Sequence, residues 1–213
     1  MEQAFIFETE RNRYDDVLEI FVETDKFTNR SWMLKPFTCG EYVYATNGVG
    51  LIQIRSCLPV GKYEEESPNH LPDIINQQNT ACNFVFSVEV LNTAITRALG
   101  DRTESKVECE DCEGSGRVNC GHCGYKGKCL TCDGTGEIDS ADYEDSRNIS
   151  MCGSVFAVSK LRMLLNAARR LQSQMIVKVS GRGTQQGRFL LDGILIILIP
   201  ILVNHETVIH YDI

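Results

Sequence analysis

The sequence contains no hydrophobic run long enough to cross a bilayer. Its most apolar stretch, residues 194–203, has about half the roughly 20 residues that a membrane helix needs. Pro200 interrupts this stretch, and its many β-branched residues favour a buried strand that ends or kinks near the proline. No N-terminal signal peptide is recognisable either. We therefore expect a cytoplasmic protein without a membrane segment.

Sequence motifs of the common enzyme classes are also absent. There is no phosphate-binding Gly-Lys-Ser/Thr loop and no dinucleotide fingerprint, and Gly181-Arg182-Gly183 suits a hairpin turn better than a phosphate cradle. None of the four histidines has a recognisable nucleophile or carboxylate partner in the sequence; they are His70, His122, His205 and His210. We expect a protein that is not an enzyme.

Positive charge is scarce: 21 Lys and Arg stand against 29 Asp and Glu, which gives a formal net charge of −8. Proteins that coat duplex DNA over a large surface are usually basic. The acidic residues cluster in stretches 64–66, 104–113 and 137–145, where solvation of loops explains them. Any contact with nucleic acid must therefore come from a local basic face.

Cysteine, in contrast, is abundant, and six of the ten cysteines form three Cys-x-x-Cys pairs within a short segment. A Cys-x-x-Cys turn places two thiolates on one side of a tight loop, and two such turns complete a tetrahedral zinc site. Glycines follow each pair and allow the positive φ angles that such loops need. The predicted metal ligands are Cys109, Cys112, Cys120, Cys123, Cys129 and Cys132.

The first and last pairs read Cys-x-x-Cys-x-Gly-x-Gly, and here the chain resembles the cysteine-rich zinc finger of DnaJ-type cochaperones. That family has four such units, in which the outer two hold one zinc and the inner two hold another. This chain has three, and its middle unit, CGHCGYKG, is degenerate. The resemblance implies that Cys109, Cys112, Cys129 and Cys132 hold one zinc ion.

The middle pair, Cys120 and Cys123, is half a site, and three arrangements are open to it. The pair can recruit His122, share bridging thiolates in a two-metal cluster, or stay reduced and empty. We expect one zinc, with a second as the alternative, and we disfavour a disulfide framework because intracellular thiols normally stay reduced. The remaining four cysteines lie among apolar residues and are expected to be small core side chains: Cys39, Cys57, Cys82 and Cys152.

The segments before and after the cysteine-rich region show the same order of predicted elements, β-α-β-β-β. The first has a strand at 4–7, a helix at 11–22 and strands at 31–36, 41–45 and 50–56. The second has a strand at 154–158, a helix at 159–172 and strands at 175–180, 188–191 and 194–202. Asn47-Gly48 and Asp192-Gly193 are hairpin signals within the two segments.

This duplicated unit resembles one domain of the DNA sliding clamps. The resemblance is carried by Tyr42-Val43-Tyr44-Ala45-Thr46-Asn47-Gly48 and by Asp192-Gly193 followed by apolar residues and Pro200. It implies an α+β fold in which helices form an inner, DNA-facing layer and strands form outer sheets.

We accordingly predict four regions. Residues 1–62 and 150–213 are the two β-α-β-β-β halves, residues 63–102 are a loop and a connecting helix, and residues 103–146 are an inserted DnaJ-like zinc finger. The connecting helix, at 86–99, is expected to be another core helix; the alternative is a stem for the finger.

The helix at 159–172 carries a cluster of cations beside its apolar stripe. In a clamp-like arrangement these side chains would contact phosphates without reading bases, although a solvated helix surface also explains them. The predicted contact residues are Lys160, Arg162, Arg169, Arg170 and Lys178.

These features favour a non-catalytic, zinc-binding interaction protein. In this hypothesis a clamp-like scaffold presents a zinc finger to a protein or nucleic-acid partner, within the replication apparatus of a phage or mobile element. We expect a protein partner, with weak and non-specific binding to nucleic acid. The alternative is a chaperone-linked adaptor that binds unfolded polypeptide through the finger. The His-Pro-Asp tripeptide of J-domains is absent, which argues against stimulation of a chaperone ATPase. A redox-active dithiol protein is a third hypothesis, with Cys120 and Cys123 as its candidate pair.

Overall fold

The computed structural model describes residues 13–25, 27–100, 106–119, 126–204 and 207–213. Its helices are α1, whose described part covers 13–19, then α2 (Leu71–Asn76), α3 (Val88–Leu99), α4 (Ala141–Ser146) and α5 (Val158–Leu171). Single 3-10 turns lie at Ser31–Met33 and Glu110–Cys112. No helix among the described residues combines the length and the apolar character that crossing a membrane requires.

Fourteen strands, some of them very short, occur in the described ranges. Those before α5 are β1 (Phe37–Cys39), β2 (Tyr42–Thr46), β3 (Gly50–Arg55), β4 (Ala81–Ser87), β5 (Lys106–Glu108), β6 (Arg117–Asn119), β7 (Lys126–Lys128), β8 (Glu137–Asp139), β9 (Asn148–Met151) and β10 (Ser154–Ala157). Those after it are β11 (Met175–Ser180), β12 (Gly187–Leu191), β13 (Ile194–Leu198) and β14 (Tyr211–Asp212).

Seven strands form one antiparallel sheet in the order β1-β2-β3-β13-β12-β11-β4. The pairing of β3 with β13 joins strands from before and after the cysteine-rich region, with Ile52 opposite Ile196 at the seam. A three-stranded sheet, β10-β9-β14, lies beside α3 and α5, and β14 runs parallel to β9. The main sheet therefore crosses the boundary between the two predicted halves.

Helices α1, α3 and α5 contribute to one continuous apolar core against the sheet. In α3, Leu91, Ala94, Ile95 and Ala98 recur at helical spacing and are buried, and the Ser87 hydroxyl accepts a hydrogen bond from the Val90 amide to cap the first turn. The expectation of another core helix in this region is confirmed. The opposite face of the sheet is covered by a smaller cluster built around Phe37, Tyr44, Leu51, Leu71 and Ile197.

The predicted elements agree best in the second half. The strand at 175–180 has the predicted bounds, and α5, β12 and β13 begin within one residue of expectation. In the first half the predicted strand at 31–36 is wrong, because residues 31–33 form a 3-10 turn and the strand begins at Phe37. The predicted strand at 4–7 and the start of the first helix lie outside the described residues.

Two of the cysteines expected to be separate core side chains are bonded to each other. Cys82 on β4 and Cys152 in the β9–β10 turn form a disulfide that spans 70 residues of sequence. Spacing could not reveal this pair, because β4 and the β9–β10 turn are brought together only by the packing of the two sheets. Cys39 and Cys57 are free thiols.

Candidate metal centre

Two similar loops, residues 109–116 and 129–136, face each other in the cysteine-rich region. Each is followed by a short strand, and the strands form two ribbons, β5–β8 and β6–β7. The loops exchange backbone hydrogen bonds: the Cys109 amide donates to the Gly136 carbonyl (2.9 Å), and the Cys129 amide donates to the Gly116 carbonyl (3.0 Å). The two Cys-x-x-Cys-x-Gly-x-Gly units are thus held as a matched pair.

Cys109, Cys112, Cys129 and Cys132 form a buried group whose sulfurs all lie within 4.8 Å of one another. The Sγ–Sγ distance is 3.8 Å between Cys109 and Cys129 and 3.7 Å between Cys112 and Cys132. Ligands about 2.3 Å from a tetrahedral zinc lie about 3.8 Å apart. The four sulfurs therefore fit a tetrahedral zinc ion.

Backbone amides donate hydrogen bonds to two of the cysteine sulfurs. The Gly116 amide donates to Cys112 Sγ (3.2 Å) and the Gly136 amide donates to Cys132 Sγ (3.3 Å), at equivalent positions of the two loops. Both glycines have positive φ, +69° and +82°. A Cβ atom on Gly116 would lie 2.3 Å from the Gly134 carbonyl oxygen, and one on Gly136 would lie 2.1 Å from the Gly114 carbonyl oxygen. Only glycine fits where the loops meet.

The thiols of Cys109 and Cys132 differ in their acidity. Burial, together with hydrogen bonding to neighbouring thiols, raises the pKa of Cys109 to about 12. Burial also opposes ionisation of Cys132, but the Gly136 amide and the neighbouring thiols outweigh it and lower the pKa of Cys132 to about 7. Thiols that hold one another by hydrogen bonds cannot all ionise unless a cation compensates their charge.

The four cysteine sulfurs are therefore expected to bind a cation. Four cysteine sulfurs are soft ligands in the arrangement typical of structural zinc. A tetrahedral ion with four thiolates has no open position for water, so such a site stabilises a fold and does not activate a substrate. Cys120, His122 and Cys123 lie outside the described residues, and the number of metal ions stays a prediction.

The cysteine-rich module, residues 106–139, is docked on the helices. Arg169 of α5 donates one hydrogen bond to the Leu130 carbonyl (3.2 Å), within the last Cys-x-x-Cys turn, and another to Asn92 Oδ1 (2.9 Å) on α3. A cleft of about 610 Å³ separates the module from α1 and α5, and one of about 430 Å³ separates it from α3. The contact with the module is made by α5, and the alternative of α3 as a stem for the finger stays a prediction.

The cations predicted on α5 make contacts within the chain itself. The Lys160 ammonium donates to the Ile199 carbonyl (2.9 Å), Arg162 pairs with the buried Glu144 of α4, and Arg170 pairs with Asp16 of α1 (3.3 Å). Together with Arg169, these side chains join helices to neighbouring elements, and their role in nucleic-acid binding stays a prediction.

Lys178 requires a correction, because its side chain is fully buried. Its ammonium donates to the Met151 carbonyl (2.8 Å) and the Ser154 hydroxyl (3.1 Å), and it lies over the Phe156 ring. Burial lowers the pKa of Lys178 to about 8, with a further contribution from Arg182. Lys178 falls on the core-facing side of β11, so it is not available to phosphates.

An apolar cleft on the outer face of the main sheet was not anticipated from the sequence. It has a volume of about 470 Å³ and its lining includes Trp32, Leu71 and Ile197, with Arg30 and His70 among its polar residues. The Asn47-Gly48 turn borders it, a feature that the sequence marked only as a hairpin signal. The cleft forms because α2 and the 3-10 turn at Ser31–Met33 leave part of the apolar sheet face uncovered.

Comparison with known proteins finds no matching family model and no matching curated protein. Among solved structures, the chain is similar to DNA polymerase III subunit beta from Borrelia burgdorferi, with 9% identity over 92% of this chain and 62% of that chain and a TM-score of 0.50. It is also similar to the DNA polymerase sliding clamp from Bacillus subtilis, with 11% identity over 89% of this chain and 63% of that chain and a TM-score of 0.47. The chain therefore spans less than two thirds of the length of these clamp chains. The fold is sliding-clamp-like, with mixed α and β content.

Proposed function

We propose that this chain is a non-catalytic, zinc-binding interaction protein in which a clamp-like scaffold presents a zinc finger to a partner. The observation that carries this proposal is the buried group of four cysteine sulfurs, supported by amides and docked through Arg169 onto the helices. A metal site without an open position stabilises the fold of the zinc finger and the surface that the finger presents. A clamp-like fold is compatible with a scaffold that binds partners.

The partner we favour is a protein, because the apolar cleft on the outer face of the sheet offers an anchoring site. Val49 and Ile199 at its edge are 41% and 42% exposed despite their apolar character. Concave apolar sites with a few polar groups are typical of ligand and peptide binding. A short apolar segment of the partner would bind here while the finger makes a second contact.

The proposal has two separate tests. Metal analysis of the purified chain should find at least one zinc per molecule, and chelation should remove it together with the fold of the module. A chain that acquires no zinc under metal-replete conditions contradicts the proposal at its centre.

The second test is a pull-down from the native host with four baits: the full chain, a chain lacking residues 106–139, Val49→Arg/Ile199→Arg, and the control Ile209→Arg. Ile209 is an exposed apolar residue that does not line the cleft. The partner should be lost with the cleft variant, weakened without the module and retained with the control. Retention on all four baits contradicts both contacts.

A chaperone-linked adaptor with a DnaJ-like finger is the second candidate function. It is favoured by two exposed apolar side chains on the module, Val107 and Leu130, which could contact unfolded polypeptide. If this function holds, the metal-loaded chain suppresses aggregation of a chemically denatured test protein, and Val107→Ser/Leu130→Ser does not. Equal suppression by both would exclude this role for the finger.

A further inference from the structure

The β6–β7 ribbon of the cysteine-rich module carries a concentrated basic face. In its register Arg117 lies opposite Lys128, and Asn119 lies opposite Lys126. Residues directly opposite on antiparallel strands share a face, as do residues two apart on one strand. All four side chains therefore project from the same side of the ribbon, and all four residues are exposed.

The other side of the ribbon points toward the metal centre. Val118 lies opposite Gly127, and Val118 packs against the cysteine cluster. A metal held by the four sulfurs would thus fix the ribbon from behind and leave its basic face free to approach a partner.

The basic face lowers the stability of the ribbon in the isolated chain. Arg117 and Lys128 are like charges directly opposite each other, which destabilises a two-stranded ribbon. Lys128 pairs with Asp133 (2.6 Å), but both side chains are more than half exposed and such a pair stabilises little. Within the described residues, the side chains of Arg117 and Lys126 form no ion pair. An external anion would relieve this repulsion.

The contrast with α5 identifies which cations can bind a polyanion. Lys160, Arg162, Arg169 and Arg170 each contact another part of the same chain, so binding phosphate would break an existing interaction. In the ribbon, Lys128 forms an exposed pair with Asp133, whereas the side chains of Arg117 and Lys126 form no ion pair with any residue that the structure describes. In a chain with a net charge of −8, the three exposed cations of this ribbon form a local basic site for a polyanion.

We propose that the basic face formed by Arg117, Asn119, Lys126 and Lys128 is a sequence-independent contact surface for the phosphate backbone of duplex DNA. Cationic side chains and an amide are the groups that contact phosphates without reading bases. The four side chains of this face are cations and an amide, which contact the backbone and offer no aromatic ring for unpaired bases, and this composition favours duplex over single strand. This inference rests on the proposed zinc finger and adds to it a surface and a partner.

The test is binding of a fluorescently labelled, random-sequence duplex to the full, zinc-loaded chain, followed by anisotropy across a salt series. Contacts with three phosphates predict a slope of log K against log salt of about −2.7. The variant Arg117→Gln/Lys126→Gln/Lys128→Gln should weaken binding at least tenfold and bring the slope close to zero. Arg117→Gln/Lys126→Gln keeps the Lys128–Asp133 pair, and should lose about two thirds of the slope, which guards against misfolding of the triple variant.

Lys160→Gln/Arg170→Gln is the matched control on α5 and should bind like the unmodified chain. Binding that is unchanged in the triple variant, or that is lost in the control instead, overturns the proposal, as does tighter binding of single-stranded DNA than of duplex. Zinc content is measured in every sample. A zinc-loaded chain that fails to bind duplex at low salt refutes the contact surface alone, whereas absence of zinc refutes the proposed function beneath it.

Discussion

At the scale of single residues, the two glycines where the cysteine loops meet are the most constrained positions in the module. Gly116 and Gly136 each have a positive φ, and the amide of each donates a hydrogen bond to a cysteine sulfur. In addition, a Cβ atom at either position would clash with a carbonyl oxygen of the facing loop. The sequence predicted glycines with positive φ after each cysteine pair. It could not predict the clash between loops, because that depends on how the two loops face each other.

Replacing Gly116 with Ala should therefore lower zinc affinity by about 10- to 100-fold, the range typical of changes to groups that support metal ligands. The added Cβ would force the loops apart and turn an amide away from Cys112. Competition with a chromogenic chelator measures the affinity. Gly183→Ala is the control, because Gly183 also has positive φ (+60°) but has nothing within 4 Å of its would-be Cβ. Equal affinities in the two variants would show that contact between the loops does not matter.

Lys178 shows the limit of assigning surface charges from the sequence. An isolated lysine on a predicted strand near other cations resembles a phosphate contact, yet the alternation of the strand turns this one toward the core. The sequence MIVKVS does place Lys178 in phase with Ile176, a buried apolar residue, and this was the available signal.

Lys178 should make the stability of the protein depend on pH in the alkaline range. Its folded-state pKa, about 8, is lower than the ordinary lysine value, so between about pH 8 and pH 10.5 the unfolded chain binds the proton more tightly. The free energy of unfolding should rise with pH across this window, by about 3 kcal/mol at most. Lys178→Met should remove this rise.

The measurement is urea unfolding of both chains at several pH values, with the exposed Lys62→Met as the control. The difference between the original chain and Lys178→Met isolates the contribution of this lysine from that of other titrating groups. A difference that does not change between pH 8 and pH 10.5 would show that Lys178 stays charged in the folded protein.

At the scale of elements, the cysteine-rich module is nearly devoid of an apolar core. Beside the four cysteines, Val118 and Ile138 are the only apolar residues in the described part of the module that pack against the metal centre. Burial of so little apolar surface cannot offset the conformational entropy of the loops. Metal binding, which supplies about 10–16 kcal/mol in small zinc modules, would then be the main source of the module's stability.

The double variant Cys109→Ser/Cys132→Ser, which removes one sulfur from each loop, should bring zinc content close to zero. The module should then become sensitive to protease, while the cooperative unfolding of the main sheet and helices persists. Cys39→Ser/Cys57→Ser is the control, because both residues are free thiols outside the cluster. A full complement of zinc in the first variant would refute the assignment of the four ligands.

Helix α5 illustrates what periodicity can and cannot predict. The spacing of its leucines and alanines predicted a helix with one buried face, and Leu161, Leu164, Leu165 and Ala168 are buried as expected. The contacts of its cations with Ile199, Glu144, Leu130 and Asp16 join residues far apart in sequence. No local pattern encodes such partners, which is why the sequence could suggest only a solvated face or a DNA-binding face.

At the scale of the whole molecule, the repeated order of strands and helix resembles that of a sliding clamp, and the fold is sliding-clamp-like. The sequence did not reveal that β4, from the predicted connecting region, would complete the main sheet beside β11. Strand order in a sheet is decided by long-range pairing, whereas hydrophobic alternation predicts only that a strand exists. The apolar cleft depends on the same long-range packing.

The placement of α4 changes how the cysteine-rich insertion should be separated from the scaffold. Residues 103–146 were predicted as one insertion, but within α4 the Tyr143 side chain packs against the main core and its hydroxyl donates to the Leu99 carbonyl. Glu144 and Arg162 form an ion pair with side chains only 6% and 21% exposed. Removing one member of a buried pair leaves the other charge uncompensated. The scaffold therefore includes α4.

Deletion of residues 106–139 with a short flexible linker should leave a folded scaffold, because the first and last residues removed, Lys106 and Asp139, are register partners about 5 Å apart. Deletion of 103–146 should leave a less stable one, by about 3 kcal/mol, since it removes Glu144 from the ion pair with Arg162. Thermal and urea unfolding of the two products measures the difference. Glu144→Gln within the shorter deletion is the control, and should reproduce most of the loss if the ion pair is its cause. A molten product from the 106–139 deletion would instead show that the cysteine-rich module, through Arg169 and its contact with Leu130, is needed to hold the helices on the sheet.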